Sequence, residues 1–155
     1  MKTISIAALL AATTLTIPAL TQARTVTLST TLKNYGGDGA YLAVYLTDAR
    51  GAYAGTLALA GRKAKYYKHL SDWKRLSAGK ASPIDGVTGA SVGEGRTLTV
   101  TIELADALFD AGYEIHVDAA VEDMRDSPSD IRVPLTTAGG GQAATGRQFV
   151  QSFSY

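Results

Sequence analysis

The sequence contains no cysteine among its 155 residues. Disulfides, thiolate metal sites, iron–sulfur clusters and covalent haem attachment through cysteine are therefore excluded. A thiol nucleophile is excluded for the same reason. Histidine is also scarce, with two copies in the chain. Polar chemistry in this protein has to come mainly from hydroxyls, carboxylates and basic side chains.

A strong charge of either sign is missing as well. The chain has 15 Lys and Arg against 14 Asp and Glu, which gives a formal net charge of +1. Proteins that bind nucleic acid usually carry a basic face, so we expect no nucleic-acid partner. After residue 23, no apolar run approaches the ~20 residues that a membrane-spanning helix needs.

The first residues have the pattern of a secretory signal. Lys2 supplies a positive start, residues 4–20 form an uncharged and mostly apolar run, and small residues lead up to Ala23. Pro18 and several threonines interrupt the run, which makes it a poor membrane anchor. We predict a signal peptide over residues 1–23, cleaved after about Ala23, and a single periplasmic domain over residues 24–155.

Alternation of apolar and polar residues, which is typical of half-buried strands, recurs along the rest of the chain. It is clear at residues 26–32, 41–46, 97–102 and 113–121, and it is shorter or weaker at 53–60, 131–135 and 149–153. The turn residues 48–51 predict that the second and third of these strands form a hairpin. Pro134 favours an edge position for its strand.

One stretch has a different period. Tyr66, Leu70 and Trp73 recur at helical spacing, which predicts a short amphipathic helix or helical turn within residues 65–76. About seven strands with one short helix indicate an all-β fold, an immunoglobulin-like antiparallel β-sandwich. The Gly-rich residues 138–146 are expected to form a flexible loop.

Residues 85–91 carry the most specific motif. They resemble the acceptor segment that FAD:protein FMN transferases modify in exported redox proteins, in which an Asp precedes a Ser or Thr, Gly, Ala and the acceptor hydroxyl. The matching residues in this chain are Asp85, Thr88, Gly89, Ala90 and Ser91. The resemblance implies that Ser91 accepts FMN through a phosphodiester. Serine instead of the commoner threonine keeps the hydroxyl that this chemistry needs.

Two other interpretations of the same segment stay open. Residues 89–93 match G-x-S-x-G, but a nucleophile elbow needs a strand before the serine and a helix after it, and here a strand follows. A serine hydrolase would also need a histidine, and alternation puts His116 on the solvent side of its strand. The plain alternative is a mobile turn that starts at Asp85-Gly86.

The chain also resembles a family of predicted periplasmic proteins with a domain of unknown function, number 2271. The resemblance rests on residues 41–48, 70–73, 85–91 and 112–117, together with Glu122. Members are similar to the immunoglobulin-like domain of flagellar hook-capping proteins. They are often encoded near PepSY-type transmembrane electron-transfer proteins and FMN transferases, which implies a periplasmic electron carrier with those partners.

The sequence therefore favours a flavin-carrying redox protein that is a carrier and not an enzyme with its own substrate. The alternative, from another class, is a cofactor-free periplasmic binding or assembly module. Other chemistry is less favoured. His69 is expected to pack beside Trp73, and nothing in its spacing from His116 suggests a shared haem or metal. The acidic residues between 118 and 130 are expected to form a solvated cluster.

Overall fold

The computed structural model describes residues 22–78 and 89–155. This part of the chain contains seven β-strands: β1 (Ala23–Leu32), β2 (Tyr41–Thr47), β3 (Tyr53–Ala60), β4 (Thr97–Ala105), β5 (Glu114–Ala120), β6 (Ser127–Pro134) and β7 (Val150–Ser154). It also contains two 3₁₀ helices, Ala64–His69 and Asp106–Leu108, and one short α-helix, α1 (Ser71–Ser77). No helix within these residues has the length and apolar character of a membrane span.

The strands form two antiparallel sheets, which confirms the predicted all-β sandwich. One sheet has the order β4-β1-β7 and the other has the order β3-β2-β5-β6. In an immunoglobulin sandwich, strands A, B and E are neighbours in one sheet and strands G, F, C and C′ in the other. The first six strands here follow that arrangement from B to G, and β7 takes the place of strand A beside β1.

The main core lies between the sheets. On β1, Val26, Leu28, Thr30 and Leu32 are all buried, as their alternation predicts. The facing strands contribute Leu42, Val44 and Leu46 of β2, among others. The β2–β3 hairpin is confirmed, and its turn is closed by the Asp48 carboxylate, which accepts hydrogen bonds from the amides of Arg50 (2.8 Å) and Ala52 (3.0 Å).

A second core lies on the outer face of the four-stranded sheet. Tyr41, Ala43 and Tyr45 of β2 pack there against Leu70 and Trp73. The helix predicted within residues 65–76 is therefore present, but it is divided into a 3₁₀ helix and α1. The break is at Leu70, whose ψ of 70° lies outside the helical region and whose side chain is fully buried. Both faces of β2 are buried as a result.

Backbone hydrogen bonds anchor the Gly-rich residues 138–146 to the C-terminal end of the chain. The amide of Gly141 donates to the carbonyl of Tyr155 at 2.7 Å, and Ala144 and Phe153 exchange two hydrogen bonds of 2.8 Å. Residues 138–146 are therefore a loop, as expected, and these bonds join it to the end of β7. β6 lies at the edge of its sheet, as Pro134 predicts.

Candidate functional site

Ser91 lies at the end of the motif segment, beside the start of β2. The next residue, Val92, forms a short antiparallel bridge with Ala40: the Ala40 amide donates to the Val92 carbonyl at 2.7 Å, and the Val92 amide donates to the Ala40 carbonyl at 3.0 Å. Gly89, Ala90 and Ser91 are exposed, whereas Val92 is buried. The bridge therefore holds an exposed serine at a defined position on the sandwich.

The structure describes three of the five residues of the predicted motif. Asp85 and Thr88 lie outside the described residues, and Gly89, Ala90 and Ser91 lie within them. The Ser91 hydroxyl has no hydrogen-bond partner in the part of the chain that the structure describes. It lies over Gly39, where an added Cβ would be 2.7 Å from the Ser91 Oγ atom. Glycine at position 39 thus leaves the room that this side chain occupies.

An open groove begins at Ser91. It has a volume of about 460 Å³. Its lining residues are Asp38, Gly39, Tyr41, Arg62, Lys63, Ala90, Ser91 and Glu122. Two cations and two carboxylates therefore lie around the serine, and the groove is polar without a large net charge.

A second cleft of about 310 Å³ adjoins this groove, since Tyr41 and Glu122 line both. The remaining lining residues are Tyr66, His69, Ala120, Val121, Asp123 and Met124. The ring centroids of Tyr41 and Tyr66 are 5.3 Å apart, and those of Tyr66 and His69 are 6.4 Å apart. Aromatic rings from β2 and the 3₁₀ helix thus come together next to the serine.

Gly61 fixes the position of Tyr41 at the base of the two cavities. Its φ of +125° favours glycine, and a Cβ there would be 2.0 Å from the Tyr41 ring. The Gly61 carbonyl accepts a hydrogen bond from the Tyr67 hydroxyl at 2.6 Å. The chain leaving β3 therefore passes directly against the tyrosine ring, which is 5% exposed.

His69 does not pack beside Trp73, contrary to the sequence expectation. The aromatic neighbour of Trp73 is Tyr67, with ring centroids 5.9 Å apart. His69 instead lies half-exposed in the second cleft, and its Nδ1 atom is 3.1 Å from the Asp126 carboxylate. This placement brings the imidazole to the same surface as Ser91.

His116 is not on a solvated face, which corrects a second expectation. It is 8% exposed and stacks on Tyr45 with ring centroids 5.2 Å apart. Nε2 lies 3.1 Å from the Thr47 hydroxyl, and Nδ1 lies 3.0 Å from the Ser129 hydroxyl. Burial lowers the pKa of His116, although nearby Glu114 opposes the change. The alternation rule fails here because α1 covers this face of the sheet.

The positions of Ser91 and His116 do not support a serine hydrolase. Ser91 precedes the residue that bridges Ala40, whereas His116 pairs with Tyr45. Five residues of extended chain separate Ala40 from Tyr45, which corresponds to roughly 16 Å. Both ring nitrogens of His116 already have partners, which also argues against a haem shared with His69.

The acidic residues between 118 and 130 do not form one solvated cluster. Asp118 and Asp130 are buried at separate positions, and the described residues contain no group of three His, Asp or Glu that could hold a metal ion. Asp130 accepts hydrogen bonds from the amides of Phe149 (3.1 Å) and Val150 (2.6 Å) at the start of β7. Its role is to hold the last strand.

Asp118 organises the outer core. Its carboxylate accepts hydrogen bonds from the Trp73 amide (2.7 Å), the Ser129 amide (2.7 Å) and the Tyr45 hydroxyl (3.1 Å). Burial raises the pKa of Asp118, and these hydrogen bonds oppose the rise. Burial and the adjacent carboxylate also raise the pKa of Tyr45. Alternation could not reveal this network, because its donors come from distant segments.

A third cavity, of about 460 Å³, lies at the other end of β2 and has no sequence signal. Its lining includes Thr47, Asp72, His116, Ser129 and three arginines, Arg50, Arg75 and Arg132. Arg132 is paired with Glu114 and Arg75 with Asp72. Ser129 has a φ of +45°. The cavity is therefore a polar pocket built mostly from already paired side chains.

Comparison with known proteins gives a family and no close relative. No curated protein matches the chain, and no solved structure does. Residues 23–152 match a family model described as "Predicted periplasmic protein (DUF2271)". The matched segment includes all seven strands up to the middle of β7, and it includes Ser91 with both neighbouring cavities. The chain therefore belongs to the DUF2271 family of predicted periplasmic proteins.

Proposed function

We propose that the protein is a periplasmic electron carrier whose FMN is attached covalently to the Ser91 hydroxyl. The observation that carries the proposal is the exposed Ser91 side chain, held at the edge of a groove that also contains Arg62 and Lys63. The segment resembles a transferase acceptor motif at five positions, including Asp85 and Thr88. A signal peptide over residues 1–23, cleaved after about Ala23, is part of the same proposal.

The surroundings of Ser91 suit an acceptor better than a catalyst. A serine hydroxyl is a weak nucleophile at neutral pH unless a base or a metal activates it. No histidine is hydrogen-bonded to Ser91 within the described residues. In this proposal the activation comes from outside the chain, from a FAD:protein FMN transferase. The exposed Gly89 and Ala90 leave space for the segment to enter another active site.

The attachment step balances with FAD as the donor. The Ser91 oxygen attacks the phosphorus on the FMN side of the FAD pyrophosphate, and the bond to the AMP oxygen breaks. The serine proton passes to a base of the transferase, and AMP leaves. The product is a phosphodiester with one negative charge, and no oxidant or reductant is consumed.

The residues of the groove fit such a diester. Arg62 and Lys63 can hold its charge, while Asp38 and Glu122 keep the groove from being a general site for polyanions. FMN, when bound, supplies the electron-transfer chemistry, and the protein supplies the tether and the local charges. A PepSY-type transmembrane protein is the proposed membrane partner.

Intact-protein mass spectrometry tests the proposal. The protein is exported from a host that also expresses an active FAD:protein FMN transferase. We expect a mass increase of one FMN unit that maps to the peptide containing Ser91, is lost in Ser91→Ala and is retained in Ser91→Thr. Ser152→Ala, on the outer face of β7, is the matched control and should stay modified.

The contrary result is also informative. If the wild-type protein stays unmodified while the transferase modifies a known acceptor in the same cells, the electron-carrier proposal is wrong. The function would then be the cofactor-free binding or assembly module, which an immunoglobulin-like sandwich can equally support.

A further inference from the structure

We propose that the ring system of a flavin carried on Ser91 lies against Tyr66, His69 and Met124 in the adjacent cleft, and does not extend freely into solvent. This inference rests on the proposed function and adds the part of the protein that would bind the redox-active ring. It also gives a role to a cleft that the sequence motif does not reach.

The cleft lies next to the groove at Ser91. The groove at Ser91 and the cleft share Tyr41 and Glu122, so the cleft is the immediate neighbour of the groove and is available to a group attached at Ser91. Arg62 and Lys63 line only the groove, and Tyr66 and His69 line only the cleft. The charged part of the attached group would thus face cations, and its ring would face aromatic side chains.

The cleft is lined partly by aromatic and apolar side chains. Tyr66 and Met124 are half-buried, and Ala120 and Val121 are buried beneath them. Aromatic rings and a thioether are groups that pack well against another planar ring. Lys65 and Lys63 lie over the Tyr66 ring with their Nζ atoms 4.8 Å and 5.7 Å from the centroid, and as exposed side chains they can move aside. The cleft thus combines these aromatic and apolar groups with the polar side chains of His69, Glu122 and Asp123.

Carboxylates around the cleft determine the direction in which a variant should shift the flavin potential. Glu122 and Asp123 line the cleft, and Asp126 is 3.1 Å from the Nδ1 atom of His69. Negative charge near a flavin ring disfavours the reduced, anionic form and so lowers its reduction potential. Glu122→Gln should therefore shift the midpoint potential of the attached flavin in the positive direction. A ring in open solvent would be much less sensitive, because water and salt screen the carboxylate.

Flavin fluorescence tests the proposed position directly. A tyrosine in contact with the ring quenches its emission, so the wild-type protein should be dimmer per attached flavin than free FMN. Tyr66→Leu should increase the emission severalfold. Tyr113→Leu, a half-buried tyrosine in another part of the sandwich, is the matched control and should have no effect. The attached fraction is measured by mass spectrometry for each variant, so that emission is compared per bound flavin.

A second measurement does not depend on any variant folding. Iodide should quench the wild-type flavin with a smaller Stern–Volmer constant than it quenches free FMN, because the cleft restricts access. Attached flavin with the emission and iodide sensitivity of free FMN would overturn this inference and leave the electron-carrier proposal intact. A wild-type chain without flavin beside a working transferase would overturn both.

Discussion

Asp118 accepts a hydrogen bond from the backbone amide of Trp73 at 2.7 Å, across 45 residues of sequence. Trp73 is in the first turn of α1, where backbone amides have no partner within the helix. The carboxylate therefore ties the short helix to β5 and satisfies one of these amides. It also complements the positive end of the helix. This single contact holds the element that covers the outer face of β2.

Replacing that carboxylate should cost substantial stability. Asp118→Asn puts an amide group where hydrogen-bond donors converge, so we expect a loss of about 2–3 kcal/mol in the free energy of unfolding. Urea denaturation monitored by Trp73 fluorescence measures it. Asp123→Asn is the matched control, because Asp123 is exposed and asparagine also tolerates its φ of +61°. Equal stability of the two variants would contradict the role given to Asp118.

The buried His116 should make stability depend on pH on the acidic side of neutrality. Burial holds its pKa below the ordinary value of 6.5, so the unfolded chain binds more protons than the folded one once the pH falls below that value. Its contribution is fully present above about pH 6.5 and decreases as the pH falls towards the folded pKa. We expect lower stability at pH 5.5 than at pH 7.5.

His116→Gln isolates that effect. The variant keeps a polar group near Thr47 and Ser129 but cannot gain a proton, so the difference in unfolding free energy between the two pH values should be smaller than in the wild type. His69→Gln is the control on the half-exposed histidine. An unchanged pH difference in His116→Gln would show that other groups cause it.

Two glycines with positive φ should respond very differently to alanine. At Gly61 the added Cβ meets the Tyr41 ring at 2.0 Å, whereas at Gly51 nothing lies within 4 Å. Backbone strain alone costs about 1–2 kcal/mol, and overpacking adds about another 1–3 kcal/mol. We expect Gly61→Ala to be destabilised by about 3 kcal/mol and Gly51→Ala by about 1 kcal/mol. Thermal denaturation of both variants tests the difference, and similar melting temperatures would contradict it.

Gly39→Ala should impair modification of Ser91 without unfolding the protein. The new Cβ would be 2.7 Å from the Ser91 Oγ atom and 3.1 Å from its Cβ, so the serine side chain has to move. We expect a lower fraction of FMN-modified protein in the co-expression experiment. Gly93→Ala is the control, because its Cβ would meet only the Arg96 side chain, at 3.4 Å. Equal modification of both variants would mean that the transferase binds the segment independently of Gly39.

Local pattern predicts part of this fold well. The alternation in β1 and β4, the β2–β3 hairpin and the edge position of β6 are all confirmed, because each depends on neighbours in sequence or on one sheet face. The outer core could not be predicted in the same way. Polar residues such as Asp118 and His116 indicate a solvent face until α1, from another part of the chain, is known to cover it.

In the candidate site, too, the sequence predicts what depends on neighbouring residues and misses what depends on distant segments. The sequence identifies Ser91 through a local motif, which needs no knowledge of the fold. The groove and the cleft are formed by residues from β2, from the chain after β3 and from the segment after β5, brought together by strand pairing. Tyr66 and Met124 have no motif of their own, and only the three-dimensional arrangement connects them with Ser91.

The position of β7 beside β1 has a consequence for how the chain is made. A polypeptide that emerges with its N-terminal end first exposes β1 long before either of its neighbours, β4 and β7, exists. Contacts over such long sequence separations form slowly and late. Until residues near 154 have left the ribosome or an export pore, the three-stranded sheet lacks its edge strand β7, and the sandwich is incomplete. A chain of this topology is thus well suited to crossing a membrane before it folds.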